Sequence, residues 1–330
     1  MSKPKSAVVL AVILAVVTGL AASATPADPI RIAYIDPLSG PFAATGESGL
    51  NQFRYAVDAI NKASIVPGRP LEIVPFDNKV SPQESLIQLK KVIGDGIQFV
   101  FQGNSSGVAH AISDAVQKHN ERNAGNRVLY LNYSAVDPAL TNEKCHYWHF
   151  RFDAHADMIA LAKAANDGGL KVPFYTYYAA SNGITAAIGA AGIDRIRLVH
   201  ETHPANPNSP KALSDYITGF RKLHAQDDIN QPRINTGLSM LAQAIKRAGT
   251  TDVDKVAAAL EGAEFTTIGG DQVVMRREDH QLQMPIYISV HTNKNIKHDL
   301  DASGFGLSLE NKIERDKVVQ PSTCKMQRPS

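Results

Sequence analysis

The stretch IRIAYIDPLSGP, residues 30–41, contains the pattern that decides the fold. Its first six residues, 30–35, are mostly β-branched or aromatic and predict a buried strand. Asp36-Pro37 ends that strand, and Ser39-Gly40-Pro41 predicts a turn. Apolar residues then recur at helical spacing over 47–60. A strand that leads through a polar loop into a helix is the expected first unit of an α/β fold.

The same alternation continues toward the middle of the chain. Further strands are predicted at 71–76, 99–101 and 128–131, with helical periods between them. Ser81 is predicted to cap the helix after the second strand, and Glu84 can complete a capping box. Strands separated by helices imply right-handed crossovers and a mostly parallel sheet. The N-terminal half is therefore predicted to be a doubly wound α/β lobe.

The second half of the chain gives a less regular pattern. It predicts strands at 146–152, 174–178 and 197–200, helices at 238–248 and 252–260, two antiparallel strands at 272–275 and 285–290, and a polar tail from about 311.

Length and composition restrict the class of protein. A chain of 330 residues suggests two domains, at about 150 residues each. Apolar residues make up 44% and charged residues 20%, which excludes a disordered or coiled-coil architecture. The 34 basic residues are balanced by 32 acidic ones, so there is no electrostatic case for binding nucleic acid.

The N-terminus has the pattern of a secretory signal peptide. Lys3 and Lys5 precede an apolar run at 7–17, and Ala22-Ser23-Ala24 provides small residues at alternate positions. The run is short for a membrane-spanning helix. We expect cleavage after Ala24 and export of the mature protein.

The chain has two cysteines, Cys145 and Cys324. In an oxidising compartment such a pair is more often bridged than free, which predicts a disulfide between them. The alternative is two separate buried thiols.

The Gly103–Gly107 loop lies between a predicted strand and helix and allows two interpretations. It fits the G-x-S-x-G pattern of a serine hydrolase, which would make Ser105 the nucleophile. The partners that chain order offers are Asp194 with His200 or His203, and Asp279 with His280.

The same loop can instead bind an anion without any catalytic partner. A helix N-terminus offers free N–H groups and a favourable dipole, and Asn104, Ser105 and Ser106 add polar side chains. The loop at 132–138 follows the next strand and is expected at the same edge of the sheet. Dinucleotide, P-loop and zinc motifs are absent from the sequence, so we expect no cofactor and no metal.

The aromatic run at 174–178 is the other informative stretch. On a strand, Phe174, Thr176 and Tyr178 share one face. That face can pack in a core or line a ligand site, and both readings stay open.

Several stretches together resemble the periplasmic substrate-binding proteins of branched-chain amino acid (Leu/Ile/Val-type) ABC transporters, which have the type I fold. The matching segments are 34–41 with Gly46, 71–78, Pro82, 102–106, 137–141, 150–153, 169–173, 240–245 and 279–281.

The resemblance implies a non-catalytic protein in the periplasm, and we expect it to be a monomer. Two doubly wound lobes with mostly parallel sheets, joined by a hinge of three crossings, would close on a small ligand and deliver it to an inner-membrane permease. Residues 25–148 with about 233–262 would form the first lobe. Residues from about 149–232 with 263–330 would form the second lobe and the C-terminal tail.

The resemblance also implies that the second lobe is incomplete. Asp157-Met158 runs almost directly into 162–166, which resembles the helix that follows a longer strand-helix-strand stretch in the family. An internal deletion is therefore expected near Met158.

Transferred residue by residue, the resemblance gives a candidate site. The loop of Asn104, Ser105 and Ser106 would bind the ligand carboxylate, and Ser134-Ala135-Val136 would contribute backbone groups. Tyr178 stands where the family has an acidic partner for the ligand ammonium, and Thr45 is expected to contact the ligand as well. A carboxylic acid or amide without an ammonium group therefore fits as well as an amino acid. A ligand-sensing receptor module of the same fold is the remaining alternative.

Overall fold

The computed structural model describes residues 28–166, 174–176, 180, 183–202, 209–229 and 231–329. The predicted signal peptide, residues 1–24, lies outside these ranges. The strands are β1 (Ile30–Asp36), β2 (Leu71–Asp77), β3 (Phe99–Gln102), β4 (Leu129–Asn132), β5 (His149–Arg151), β6 (Phe174–Thr176), β7 (Ile196–His200), β8 (Glu264–Thr266), β9 (Gln272–Met275), β10 (Leu282–Gln283), β11 (Ile286–Thr292) and β12 (Gly306–Ile313). The α-helices are α1 (Ala43–Lys62), α2 (Pro82–Gly94), α3 (Ser106–Arg122), α4 (Ala156–Asn166), α5 (Ile184–Ile188), α6 (Lys211–Leu223), α7 (Arg233–Ala248), α8 (Val253–Leu260) and α9 (Arg315–Val318).

The first sheet confirms the predicted doubly wound lobe. Its five strands have the order β2-β1-β3-β4-β5, and every neighbouring pair is parallel. Helix α1 packs against α7 and α7 against α8, while α2 packs against α3. Ser81 caps α2 as predicted, because its hydroxyl accepts the N–H of Glu84 at 3.2 Å. The buried apolar residues of these elements form one large core.

The second sheet is smaller and mixed. Its order is β12-β11-β7-β6, and of these pairs only β6 with β7 is parallel. The expectation of mostly parallel pairing therefore holds for the first sheet and not for the second. A parallel pair needs a long crossover connection, which the antiparallel pairs of β11 with β12 and with β7 do not require. The sequence also predicted a polar tail from about residue 311. That start is too early, because β12 continues to Ile313.

The first core extends beyond the boundaries predicted for the first lobe. Phe150 and Phe152 belong to it because β5 pairs with β4. Val273, Met275 and Leu282 also belong to it, through the small sheet of order β10-β9-β8. We therefore propose that the first lobe comprises residues up to about 152 and from about 234 to 284.

A disulfide joins Cys145 to Cys324, whose Cα atoms are 5.7 Å apart. It ties the C-terminal tail to the first lobe, where Met326 packs against the large core. Arg328 in the same tail forms an ion pair with Glu261. The tail thus belongs to the first lobe in space although it follows the second in sequence.

Among the described residues, no helix combines the length and apolar character needed to span a bilayer.

Candidate ligand site

Three loops meet at one edge of the first sheet. β1, β3 and β4 are neighbours and end in the polar residues Asp36, Gln102 and Asn132. Gln102 and Asn132 are aligned in the β3–β4 register. The loops after β3 and β4 therefore lie side by side, as the sequence predicts. Polar loops at the carboxyl ends of parallel strands are where open α/β sheets bind ligands.

Asp36 holds the loop after β3 in place. Its fully buried carboxylate accepts the N–H groups of Gly103 at 3.2 Å and Asn104 at 3.0 Å, and the Tyr133 hydroxyl at 2.6 Å. Burial raises the pKa of Asp36 to about 7, although these hydrogen bonds oppose the increase. Gly103 must be small, because a Cβ there would lie 2.8 Å from the Ser134 and Tyr133 side chains. Asp36 is thus the anchor of the predicted anion-binding loop.

Asn104 belongs to this anchor. Besides its N–H, its carbonyl accepts a hydrogen bond from Gln102 Nε2 at 2.6 Å, and its Nδ2 donates to Tyr133 at 3.3 Å. These contacts fix the loop, and the predicted contact of Asn104 with a ligand stays a prediction.

Ser105 and Ser106 form the start of α3. Ser105 is exposed and has a φ of +77°, in the region that disfavours residues with a side chain. Its Oγ accepts the N–H of Val108 at 3.4 Å and caps the helix. The first-turn N–H groups of Ser106 and Gly107 lack carbonyl partners within the helix. Strain of this kind, on an exposed residue at a sheet edge, is typical of binding sites.

The loop after β4 is fixed by Asn132. Its Oδ1 accepts the N–H groups of Ser134 at 3.1 Å and Ala135 at 2.8 Å, and its Nδ2 donates to the Ala135 carbonyl. The Val136 carbonyl accepts the N–H of Ala156. The Ala135 backbone is therefore occupied within the protein, and its predicted contact with a ligand stays a prediction.

The two remaining predicted residues lie apart from these loops. Thr45 is exposed in the first turn of α1. Tyr178 lies outside the described residues, which include Phe174–Thr176 of that strand.

The hydrolase partners do not assemble around Ser105. His200 Nε2 hydrogen-bonds Ser289, and His280 hydrogen-bonds Glu261 and the His149 carbonyl. Asp279 pairs with Arg276, and His203 lies outside the described residues. Nothing in the described part of the chain supports a serine hydrolase.

A charged cluster that the sequence does not predict lies next to the loop after β4. Arg233, the first residue of α7, contacts Asp153 and Glu201, and it also donates to Ser134 Oγ at 3.1 Å. Arg233 precedes an apolar helical period, so the sequence alone gives no sign of its partners.

Fold and site together define the class: a two-lobed α/β binding protein with a polar site at the edge of the first sheet. The chain belongs to the periplasmic binding protein family, whose model matches residues 29–158 and 152–294. This assignment confirms the family that the sequence resembles.

Three proteins illustrate the similarity. The Leu/Ile/Val-binding protein homolog 4 of Brucella melitensis is 26% identical over 402 aligned residues, covering 93% of this chain and 95% of the relative. The closed conformation of a leucine-, isoleucine-, valine-, threonine- and alanine-binding protein from Brucella ovis superposes with a TM-score of 0.80 at 24% identity, covering 91% of this chain and all of that one. A solute-binding protein from Rhodopseudomonas palustris BisB5, solved with 3,4-dihydroxybenzoic acid, gives a TM-score of 0.70 at 14% identity, with 87% and 98% coverage.

The comparisons also bear on the internal deletion. The two segments of the family match overlap over residues 152–158, which end at Met158. The alignment with the Brucella melitensis relative is longer than the 330 residues of this chain, so that relative contains residues with no counterpart here. Both observations fit an incomplete second lobe.

Proposed function

We propose that this protein captures a small carboxylate, amino acid or amide between its two lobes and delivers it to the inner-membrane permease of an ABC transporter. The observation that carries the proposal is the N-terminus of α3, which Asp36 and Asn104 hold at the edge of the first sheet. The family assignment supports a role in solute binding. It also supports a periplasmic location, to which a signal peptide cleaved after Ala24 would lead.

A carboxylate is the group that this helix N-terminus suits best. The N–H groups of Ser106 and Gly107 can donate to its oxygens, and the helix dipole favours its negative charge. The Ser106 hydroxyl can donate as well. Ser105 Oγ accepts the Val108 N–H and still has its own hydrogen to give.

The remainder of the ligand would face the second lobe. We propose that Tyr178 contacts it there, and that Thr45 lies at the rim of the site on α1. A tyrosine hydroxyl cannot neutralise an ammonium as a carboxylate does, so acids and amides compete with amino acids as ligands. We propose that the protein binds as a monomer and catalyses no reaction.

Calorimetric titration of the mature chain, residues 25–330, tests this proposal. The ligands are L-leucine, L-isoleucine, 3,4-dihydroxybenzoate, a short aliphatic amide and urea. We expect saturable heat with at least one of them. Absence of heat with all of them would count against solute capture by this chain.

Two variants test the site itself. Ser106→Ala removes a hydroxyl that would donate to a charged group, so the affinity should fall about tenfold or more. The matched control is Ser214→Ala, an exposed position on α6 where no change is expected. Equal affinity in Ser106→Ala and wild type would contradict the proposed carboxylate contact.

A further inference from the structure

The guanidinium of Arg233 joins the loop after β4 to the second lobe. In the first lobe its Nε donates to the Tyr133 carbonyl at 2.7 Å and its Nη2 to Ser134 Oγ at 3.1 Å. Toward the second lobe its Nη1 lies 2.9 Å from Oε2 of Glu201, which directly follows β7. Its Nε also lies 3.2 Å from Oδ2 of Asp153, in the segment that connects β5 to α4.

These contacts are shielded from water. The side chains of Arg233, Asp153 and Glu201 are only 13%, 15% and 10% exposed. A buried charge is costly unless it is paired, and breaking such a pair leaves the partner charge uncompensated. The arrangement of the two lobes that keeps Arg233 paired is therefore favoured over one that separates it from Glu201.

The electrostatics of the three groups agree with this geometry. Burial opposes the charge of Arg233, but Asp153 and Glu201 outweigh it and raise its pKa. Burial raises the pKa of Asp153 to about 7, an effect that Glu201 strengthens and Arg233 opposes. The Arg233 guanidinium thus lies between two buried carboxyl groups and pairs with both.

We propose that Arg233 is an interlobe latch, a positioning residue that holds the second lobe against the loop after β4. Glu201 moves with the second sheet, whereas Tyr133 and Ser134 belong to the loop beside the candidate site. On this proposal, opening the lobes separates Glu201 from the Arg233 guanidinium, and displacing the loop after β4 disturbs the same guanidinium. The latch holds the lobes together without a ligand. When a ligand binds, the latch also couples the loop after β4 to closure of the lobes, and only this coupling rests on the proposed function.

The latch can be tested by measuring the distance between the lobes without ligand. Both native cysteines are in the disulfide, so cysteines introduced at Lys90 on α2 and Lys317 on α9 can carry spin labels. Both positions are exposed. Electron–electron double resonance should give a single distance for the otherwise wild-type chain, that of the arrangement in which Arg233 and Glu201 are paired.

Three variants change the latch to different degrees. Arg233→Met and Glu201→Gln should lower the ratio of closed to open molecules by about tenfold or more, because each leaves part of the cluster unpaired. Arg233→Lys keeps the charge but loses the planar fork, so it should give an intermediate ratio. If Arg233→Met does not fold, Glu201→Gln and Arg233→Lys decide.

The matched control is Arg197→Met. Arg197 pairs with Glu310 at 2.7 Å with similar burial, but both residues lie in the second sheet. Its loss should leave the interlobe distance unchanged. An unchanged distance in Glu201→Gln and in the folded Arg233 variants, or an equal change in Arg197→Met, would overturn the latch. Because no ligand is added, failure of the proposed function would not affect these results.

Discussion

Asp36 and Asn104 are 68 positions apart in the sequence, yet the buried carboxylate of Asp36 accepts the backbone N–H of Asn104 at 3.0 Å. This bond joins the end of β1 to the loop after β3. The residue that follows, Ser105, has the strained backbone that begins α3. The candidate carboxylate site therefore depends on a side chain that need not touch the ligand.

Asp36→Asn should weaken ligand binding while leaving the fold intact. An amide offers one acceptor oxygen to the three donors around this position, and its NH₂ group would face one of them. We expect the affinity for the ligand found by calorimetry to fall about tenfold or more, with an unchanged circular dichroism spectrum. Unchanged affinity would show that the loop does not need this anchor.

Proton linkage gives the same variant a second readout. Burial raises the pKa of Asp36 from 3.8 to about 7. Between pH 3.8 and about pH 7, Asp36 therefore keeps a proton in the folded state that it has lost in the unfolded state. The free energy of unfolding of the wild type should therefore rise, relative to Asp36→Asn, as the pH falls from 7 to 5. Urea titrations at each pH measure this difference, and parallel curves would contradict it.

Gly46→Ala should destabilise the first lobe. A Cβ at Gly46 would lie 1.6 Å from the Pro37 carbonyl oxygen, so α1 could not approach the loop after β1. We expect a loss of about 3 kcal/mol in the free energy of unfolding, measured by chemical denaturation. The control is Gly94→Ala, in α2, where a Cβ meets nothing within 4 Å and should add about 0.5–1 kcal/mol of stability. Equal stability of the two variants would contradict the prediction.

Glu261→Gln should reduce stability in a manner that depends on pH. Burial raises the pKa of Glu261, but hydrogen bonds from His280 and Arg328 outweigh it and lower that pKa to about 2. The contribution of the Glu261 carboxylate to the free energy of unfolding is therefore fully present above pH 4.5 and is lost as the pH falls toward 2. The wild type should be more stable than the variant at pH 7, and the difference should shrink below pH 4.5.

Thermal unfolding followed by circular dichroism between pH 7 and pH 3 measures this convergence. Glu264→Gln, at an exposed position on β8, serves as the control. A difference between wild type and Glu261→Gln that stays constant over this range would contradict the assigned role of the Glu261 carboxylate.

Local patterns predict the first lobe well because its elements are encoded by neighbouring residues. The Ser81 cap and the periods of α1 and α2 need only a few consecutive positions. The loops after β3 and β4 lie side by side because these parallel neighbouring strands end at the same edge of the sheet. The second lobe was predicted less well, because β12, which pairs with β11 over residues 306–313, was not predicted as a strand.

By itself, the sequence determined the family, the alternation of strands and helices in the first lobe, and the serine-bearing loop at the edge of the sheet. It did so because periodicity, capping and turn residues act over short distances in the chain. Only the tertiary structure decided which groups hold that loop and which charges join the lobes. Asp36 reaches Asn104, and Arg233 reaches Glu201 and Asp153, because folding brings distant segments together and burial then requires each charge to find a partner.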